Sequence, residues 1–74
     1  MPTLYQYNSL PDDERVTILW EEGVYLDLYR VDTGSEIMLY ALYSFYVEVW
    51  YKEDENEITR LRSFSSTAPL DAYF

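Results

Sequence analysis

Apolar residues in the first third of the chain recur at the spacing of an α-helix. Val16, Leu19 and Trp20 stand at i, i+3 and i+4, so they share one helical face. The residues between them are mostly polar or charged, as expected of a face in contact with water. The pattern predicts an amphipathic helix over Pro11–Glu22.

The flanking residues suggest how this helix begins and ends. Ser9 is a candidate N-cap, and Pro11 followed by three acidic residues suits a first helical turn, where a missing amide donor and negative charge are both tolerated. Gly23 is placed for a left-handed C-terminal cap. The segment before the helix, Met1–Asn8, is expected to be extended.

After the helix the apolar period changes from 3.6 to 2, which is typical of half-buried strands. The first predicted strand begins at Val24, and Asp32–Ser35 has the composition of a tight turn in which Gly34 takes a positive φ. Three more strands follow, over Glu36–Leu42, Phe45–Tyr51 and Glu57–Phe64.

Short connections favour antiparallel hairpins, because parallel crossovers need a dozen or more residues. The expected fold is therefore α+β: one amphipathic helix packed on a four-stranded antiparallel meander sheet, with a short C-terminal helical turn that includes Leu70 and Tyr73. A chain of 74 residues has room for one core, so residues 1–74 are expected to form a single domain.

Strand alternation divides the sheet into two faces. The residues expected to point at the helix are Val24, Leu26, Ile37, Leu39, Val47 and Val49. The opposite face is then expected to carry Tyr25, Asp27, Tyr29, Met38, Tyr40, Tyr46, Glu48 and Trp50. The fourth strand adds Arg60 and Arg62 if they share that face, which the sequence leaves open.

Such an aromatic face is unusual, because the solvated side of an antiparallel sheet normally carries small polar and charged residues. Tyrosine, tryptophan and arginine are enriched at protein interfaces. The predicted contact residues are Tyr25, Tyr29, Tyr40, Tyr46 and Trp50, with Asp27, Glu48, Arg60 and Arg62 fixing the register. The expected partner is a second copy in a homodimer or another protein. In one alternative, the aromatic rings only stabilise the sheet through cross-strand pairs, or the N- and C-terminal segments cover them. In another, the same rings bind a small molecule by stacking.

Charge narrows the choice of partners. Fourteen acidic and five basic residues give a net charge of −9, which disfavours direct binding to nucleic acid or to an anionic membrane surface. The competing hypothesis is an acidic inhibitor, DNA mimic or immunity-type protein that neutralises a basic partner. The simplest interpretation is that the acidity keeps the protein soluble.

Several kinds of chemistry are disfavoured by composition. The chain has no cysteine and no histidine, and two glycines are too few for a phosphate-binding loop. A catalytic acid–base pair could be formed by Asp27 and Glu48 near Arg60 and Arg62, but such residues are more typical of cross-strand ion pairs. The oxygen-rich segment 53–57 lacks the spacing of a calcium-binding loop. We therefore expect a non-enzymatic cytoplasmic protein without a cofactor, a metal or a membrane span.

Several short segments stand out along the chain: Leu10-Pro11, Trp20-Glu21-Glu22-Gly23, residues 45–51, Asn56-Glu57-Ile58, residues 62–67 and the closing Leu70-x-x-Tyr73. In these segments the chain resembles a group of small, uncharacterised bacterial single-domain proteins. The resemblance implies a bacterial and cytoplasmic origin. It brings no activity, cofactor or substrate, so no functional residue is carried over from it.

Overall fold

Two helices begin the chain, where the sequence pattern predicted one. In the computed structural model, which describes residues 2–52 and 57–73, α1 spans Leu4–Asn8 and α2 spans Asp12–Glu22. The Thr3 side chain accepts a hydrogen bond from the Gln6 amide at 3.2 Å, and the Gln6 side chain accepts one from the Thr3 amide at 2.9 Å. This capping box satisfies donors at the start of a short helix. The predicted extended segment is therefore wrong over Leu4–Asn8.

The ends of α2 also differ from the prediction. Ser9 ends α1, and its amide donates to carbonyl groups of that helix, so it is not the N-cap of α2. Pro11 occupies that position without a side-chain hydrogen bond. Gly23 is extended, with φ −74°, and not left-handed. A glycine is needed there because a Cβ would lie 2.5 Å from the carbonyl oxygen of Leu19.

Four strands follow in an antiparallel sheet whose order is the order of the chain. They are β1 at Val24–Asp32, β2 at Ser35–Leu42, β3 at Phe45–Lys52 and β4 at Glu57–Phe64. A 3-10 helix at Ala68–Tyr73 closes the chain. This α+β arrangement of one long helix, a meander sheet and a C-terminal turn confirms the predicted fold class.

Tight turns join the first three strands. Thr33 and Gly34 both have positive φ, of 40° and 80°, which is the type I′ geometry that matches strand twist and confirms the prediction for Gly34. Leu42 pairs with Phe45, so Tyr43 and Ser44 form a two-residue turn. Tyr43 takes a φ of 54°, a left-handed conformation that is strained for a side chain with a Cβ.

Two bulges change which side chains share a face. Tyr25 pairs with Tyr40 and Tyr29 with Met38, so four steps along β1 match two along β2, and Asp27 within this bulge has φ 58°. A one-residue bulge in β4 lies opposite the Trp50–Tyr51 step of β3. Bulges of this kind bend the strand and increase its twist.

The main core lies between the helices and one end of the sheet. Its buried residues are Tyr7, Leu19, Leu42, Phe45, Val47 and Val49. The Tyr7 hydroxyl donates to the Arg15 carbonyl at 2.8 Å, and burial raises the pKa of Tyr7 to about 12. Of the predicted helical face, Leu19 is buried and Val16 is half-buried, whereas Trp20 remains 48% exposed.

Candidate interaction surface

The strand register decides which of the predicted contact residues share a face. Directly opposed residues of an antiparallel pair point to the same side. Val47 of β3 faces the helices as predicted, and Tyr40 of β2 lies opposite it, so Tyr40 also faces the helices. Leu39 lies opposite Glu48 and faces away. The predicted facing is therefore right for β3 and reversed for β2, including Ile37 and Met38.

We call the face that carries the helices the helix side and the opposite face the far side. On β1, Tyr25 lies opposite Tyr40 and Tyr29 lies opposite Met38, so both tyrosines are on the helix side, whereas Val24 lies on the far side. The predicted contact residues on the far side are Tyr46, Glu48, Trp50, Arg60 and Arg62. The prediction of one aromatic face is therefore wrong, because the rings are divided between two.

Asp27 is also separated from the residues it was predicted to join. It lies in the bulge of β1, whereas Arg60 and Arg62 lie on β4, with β2 and β3 between them. Glu48 and Arg62, by contrast, are opposed across β3 and β4, a pairing that the sequence left open. Glu48 lies on β3, with β2 between it and Asp27, so the four residues do not form one cross-strand group.

The far side is organised around a fully buried carboxylate. Glu48 is 0% exposed, and its Oε2 accepts a hydrogen bond from the Tyr73 hydroxyl at 2.6 Å. The same oxygen lies 3.4 Å from Nη2 of Arg30, and Oε1 lies 3.4 Å from Nη1 of Arg62. Burial, then the hydrogen bond to Glu48 and the charge of that carboxylate, raise the pKa of Tyr73, so the phenol stays protonated at neutral pH.

Aromatic rings surround the guanidinium groups of this cluster. The Arg30 guanidinium lies 5.5 Å from the Trp50 ring centre and 5.6 Å from that of Tyr73, and the Arg60 guanidinium lies 5.1 Å from the Trp50 ring centre. These are cation–π distances. Tyr46 stacks on Phe64 with ring centres 5.7 Å apart. The aromatic and charged residues of the far side thus contact one another, as in the alternative that rings stabilise the sheet.

Arg30 and Tyr73 are site residues that the sequence reasoning missed. Arg30 follows the bulge of β1, and the bulge is not visible in the alternation of residue types. Tyr73 was expected to pack by its apolar side, but the hydrogen bond of its hydroxyl to a carboxylate had no local signal. Arg30 is 18 positions and Tyr73 is 25 positions from Glu48 in the sequence, so neither contact belongs to a local sequence pattern.

The helices cover only part of the helix side. The uncovered part of the sheet is bordered by the Trp20 ring of α2. We call this surface the open face, and its residues are Trp20, Tyr29, Val31, Met38, Tyr51 and Ile58. Tyr29 is 61% exposed and Trp20 is 48% exposed. A groove of about 540 Å³ lies on this face, and Glu36 and Glu57 are among its lining residues.

A second groove adjoins the first. It has a volume of about 370 Å³ and lies between the N-terminal half of α2, at Asp12, Asp13 and Val16, and residues 58–61 of β4. Ile58 lines both grooves. Together they form a depression with an apolar floor along one flank of α2.

A row of rings connects α2 to the edge of the sheet. The Trp20 and Tyr40 ring centres are 5.5 Å apart in an edge-to-face arrangement, and those of Tyr40 and Tyr25 are 5.3 Å apart. Burial raises the pKa of both tyrosines. Because these phenols stay neutral at physiological pH, the row presents no charge to a partner.

Exposed apolar side chains concentrate near this row. Within residues 2–52 and 57–73, six large hydrophobic side chains are exposed, and four of them belong to β1, an edge strand that pairs only with β2. They are Val24, on the far side, and Tyr25, Tyr29 and Val31, on the helix side. Soluble monomers rarely expose a contiguous apolar patch unless it is used for binding.

The described residues include neither a metal-binding cluster nor a membrane-spanning helix. No group of three or more carboxylates there could hold a metal ion, and residues 53–56 of the oxygen-rich segment lie outside the described part of the chain. No helix among the described residues has the length and hydrophobicity to cross a bilayer.

Comparison with protein-family models, curated proteins and solved structures gave no match. The resemblance to small bacterial proteins therefore stays a prediction. The features of the structure that bear on function are the open face, the exposed β1 edge and the distribution of charge around them.

Proposed function

We propose that the protein is a non-catalytic interaction module that binds another protein chain through the open face and the adjoining edge of β1. The observation that carries this proposal is the position of the exposed hydrophobic residues: three of them, Tyr25, Tyr29 and Val31, lie on the helix side of β1, and Trp20 is joined to Tyr25 through Tyr40. Aromatic residues at the centre of a patch supply most of the binding energy in typical interfaces. The proposal includes a cytoplasmic location.

The far side is the weaker candidate for the same role. Its central residues, Ile37, Leu39 and Glu48, are fully buried, and Tyr73 of the 3-10 helix contacts Glu48. A partner would have to displace that helix to reach them. The open face needs no such rearrangement, so binding there has the lower cost.

Self-association through β1 is the second candidate. β1 has an unpaired edge that exposes Tyr29 and Val31, and sheet edges of two copies can pair across a two-fold axis. The bulge between Tyr25 and Tyr29 interrupts the edge, which limits regular pairing to the residues after it. A dimer of this kind would also place the open faces of two copies side by side.

Site-specific photo-crosslinking in cells of the source organism tests the proposal. A photoreactive phenylalanine analogue replaces Tyr29 on the open face or, as the control, Tyr5 on α1, which is 85% exposed and lies outside the patch. We expect one discrete adduct from position 29 and none from position 5. An adduct of twice the monomer mass would favour self-association, and a different mass would favour another chain. No adduct at position 29, or the same adducts at both positions, would refute the proposal.

A further inference from the structure

We infer that the partner presents a cationic amphipathic segment, which lies in the two grooves beside α2. This inference rests on the proposed function and names the chemistry of its partner. It follows from the shape of the two grooves, from the charges on their rims and from the way the arginine side chains are used elsewhere in the fold.

The grooves have an apolar floor that follows α2. Val16, Trp20, Met38, Tyr51, Ile58 and Leu61 line them. The 11 residues of α2 extend about 16 Å at 1.5 Å per residue, and the grooves lie along its flank. A partner helix of about three turns matches that length and would insert apolar side chains every three or four residues.

The rims of the grooves are acidic. Asp12 and Asp13 line one groove, and Glu36 and Glu57 line the other. Asp12 is ion-paired with Arg15. Among the described residues that line the grooves, the basic one is Arg60, and its guanidinium lies 5.1 Å from the Trp50 ring centre, so its charge is held on the far side. Lysine or arginine side chains flanking the apolar stripe of a partner would therefore meet carboxylates.

The same charges argue against a second copy as the occupant. In a two-fold symmetric interface the same surface patch contributes from both subunits. Two open faces in contact would bring the carboxylates of one rim against those of the other, and each chain carries a net charge of −9. Like charges in close contact across an interface weaken association, whereas a cationic segment gains from the same rim.

Peptide titration tests this inference. The probe is a 14-residue amphipathic peptide of leucine and lysine, and its counterpart has glutamate in place of lysine. Isothermal titration calorimetry measures affinity, and ¹⁵N–¹H NMR shift changes map the site. We expect the lysine peptide to bind with shift changes at the Trp20 indole, Met38 and Ile58, and the glutamate peptide not to bind.

Matched charge variants separate groove binding from general attraction to an acidic protein. Glu36→Gln with Glu57→Gln removes two charges from the groove, and Glu22→Gln with Asp71→Asn removes two from exposed positions that line neither groove and lie outside β1. Since each exposed ion pair contributes little, we expect about a threefold to tenfold loss of affinity for the groove pair and less than about twofold for the control.

Three results would overturn the inference. They are an equal loss in both variant pairs, shift changes outside the grooves, and failure of the lysine peptide to bind. If the peptide fails but Tyr29 crosslinks to a different protein, the partner chemistry is wrong and the proposed function stands. A crosslinked adduct of twice the monomer mass would also overturn it, because the occupant would then be a second copy. No adduct at all would remove the proposed function as well.

Discussion

Replacing Glu48 with glutamine removes a negative charge from the centre of the far side and nearly preserves the side-chain volume. In the native protein the carboxylate accepts the Tyr73 hydroxyl at 2.6 Å and lies 3.4 Å from both Arg30 and Arg62. The variant leaves two guanidinium groups without their counter-ion. It also converts a hydrogen bond to a charged acceptor into one to a neutral amide.

The size of the effect follows from the burial of each group. Removing one partner of a fully buried ion pair costs about 3–5 kcal/mol. Here the carboxylate is buried, but the side chains of Arg30 and Arg62 are 25% and 45% exposed, so water can solvate them in part. The weaker hydrogen bond from Tyr73 adds about 1 kcal/mol. We therefore expect Glu48→Gln to lower the free energy of unfolding by about 2–3 kcal/mol in total.

Urea denaturation followed by circular dichroism measures this loss. With a slope of about 1 kcal/mol per molar urea, the midpoint should fall by about 2–3 M. Glu22→Gln is the matched control, because Glu22 is exposed in the last turn of α2, where a negative charge is unfavourable. Its midpoint should stay the same or rise slightly.

A double-mutant cycle isolates the contact between Glu48 and Tyr73. Tyr73→Phe removes the hydrogen-bond donor, and its cost should be smaller in the Glu48→Gln background than in the native protein. Two results would contradict the account of the far side. One is a Glu48→Gln variant within about 0.5 kcal/mol of the native protein, and the other is full additivity of the two substitutions.

Three further predictions concern the backbone and the core. Gly23→Ala should lower the free energy of unfolding by about 1–3 kcal/mol, because the new Cβ would collide with the Leu19 carbonyl oxygen. Gly34→Ala should lower it by only about 1 kcal/mol, because the space around this residue is open and only its φ of +80° is unfavourable for alanine. Thermal unfolding compares the two variants. Thr33→Asn should raise stability by about 0.5–1 kcal/mol in the same assay, because Asn-Gly suits a type I′ turn and a β-branched residue does not. The pKa of Tyr7 is about 12 in the folded protein and about 10 in the unfolded chain. The contribution of the protonated phenol to the free energy of unfolding is therefore complete below pH 10 and is lost as the pH rises to 12. Urea midpoints measured from pH 9 to 12 should fall by less in Tyr7→Phe than in the native protein, and an identical fall would contradict the assignment.

The fold class followed from the sequence because period and turn chemistry agree along most of the chain. The helical spacing of Val16 and Leu19, the alternation after Gly23 and the Gly34 turn each have a local physical cause. The short helix α1 was missed because its stability depends on burial of Tyr7 beneath the sheet and on the capping box at Thr3. A five-residue helix carries too few positions for a period to appear.

The candidate surface was harder to predict because both sides of β2 are apolar. Ile37 and Leu39 alternate with Met38 and Tyr40, so no polar residue marks the outward side. The register is set by the two-residue turn at Tyr43, and a shift of one residue reverses every side chain of a strand. A hairpin with two turn residues does require Tyr40 to lie opposite Val47, so this part was within reach of the sequence. The two bulges were not, because nothing in the residue types distinguishes them from regular alternation.

One buried carboxylate and one indole ring hold much of the positive charge of this chain on the far side. The chain has only five basic residues, and Arg30, Arg60 and Arg62 hold their guanidinium groups there, against Glu48 or the Trp50 ring. Arg15 is ion-paired with Asp12 on α2 itself. Three of the five basic side chains are therefore placed on the far side, whereas the carboxylates of Glu36 and Glu57 line a groove on the helix side. A neutral residue at position 48 would leave Arg30 and Arg62 without that carboxylate, so this division of charge between the two faces of the sheet is most stable with Glu48 in place.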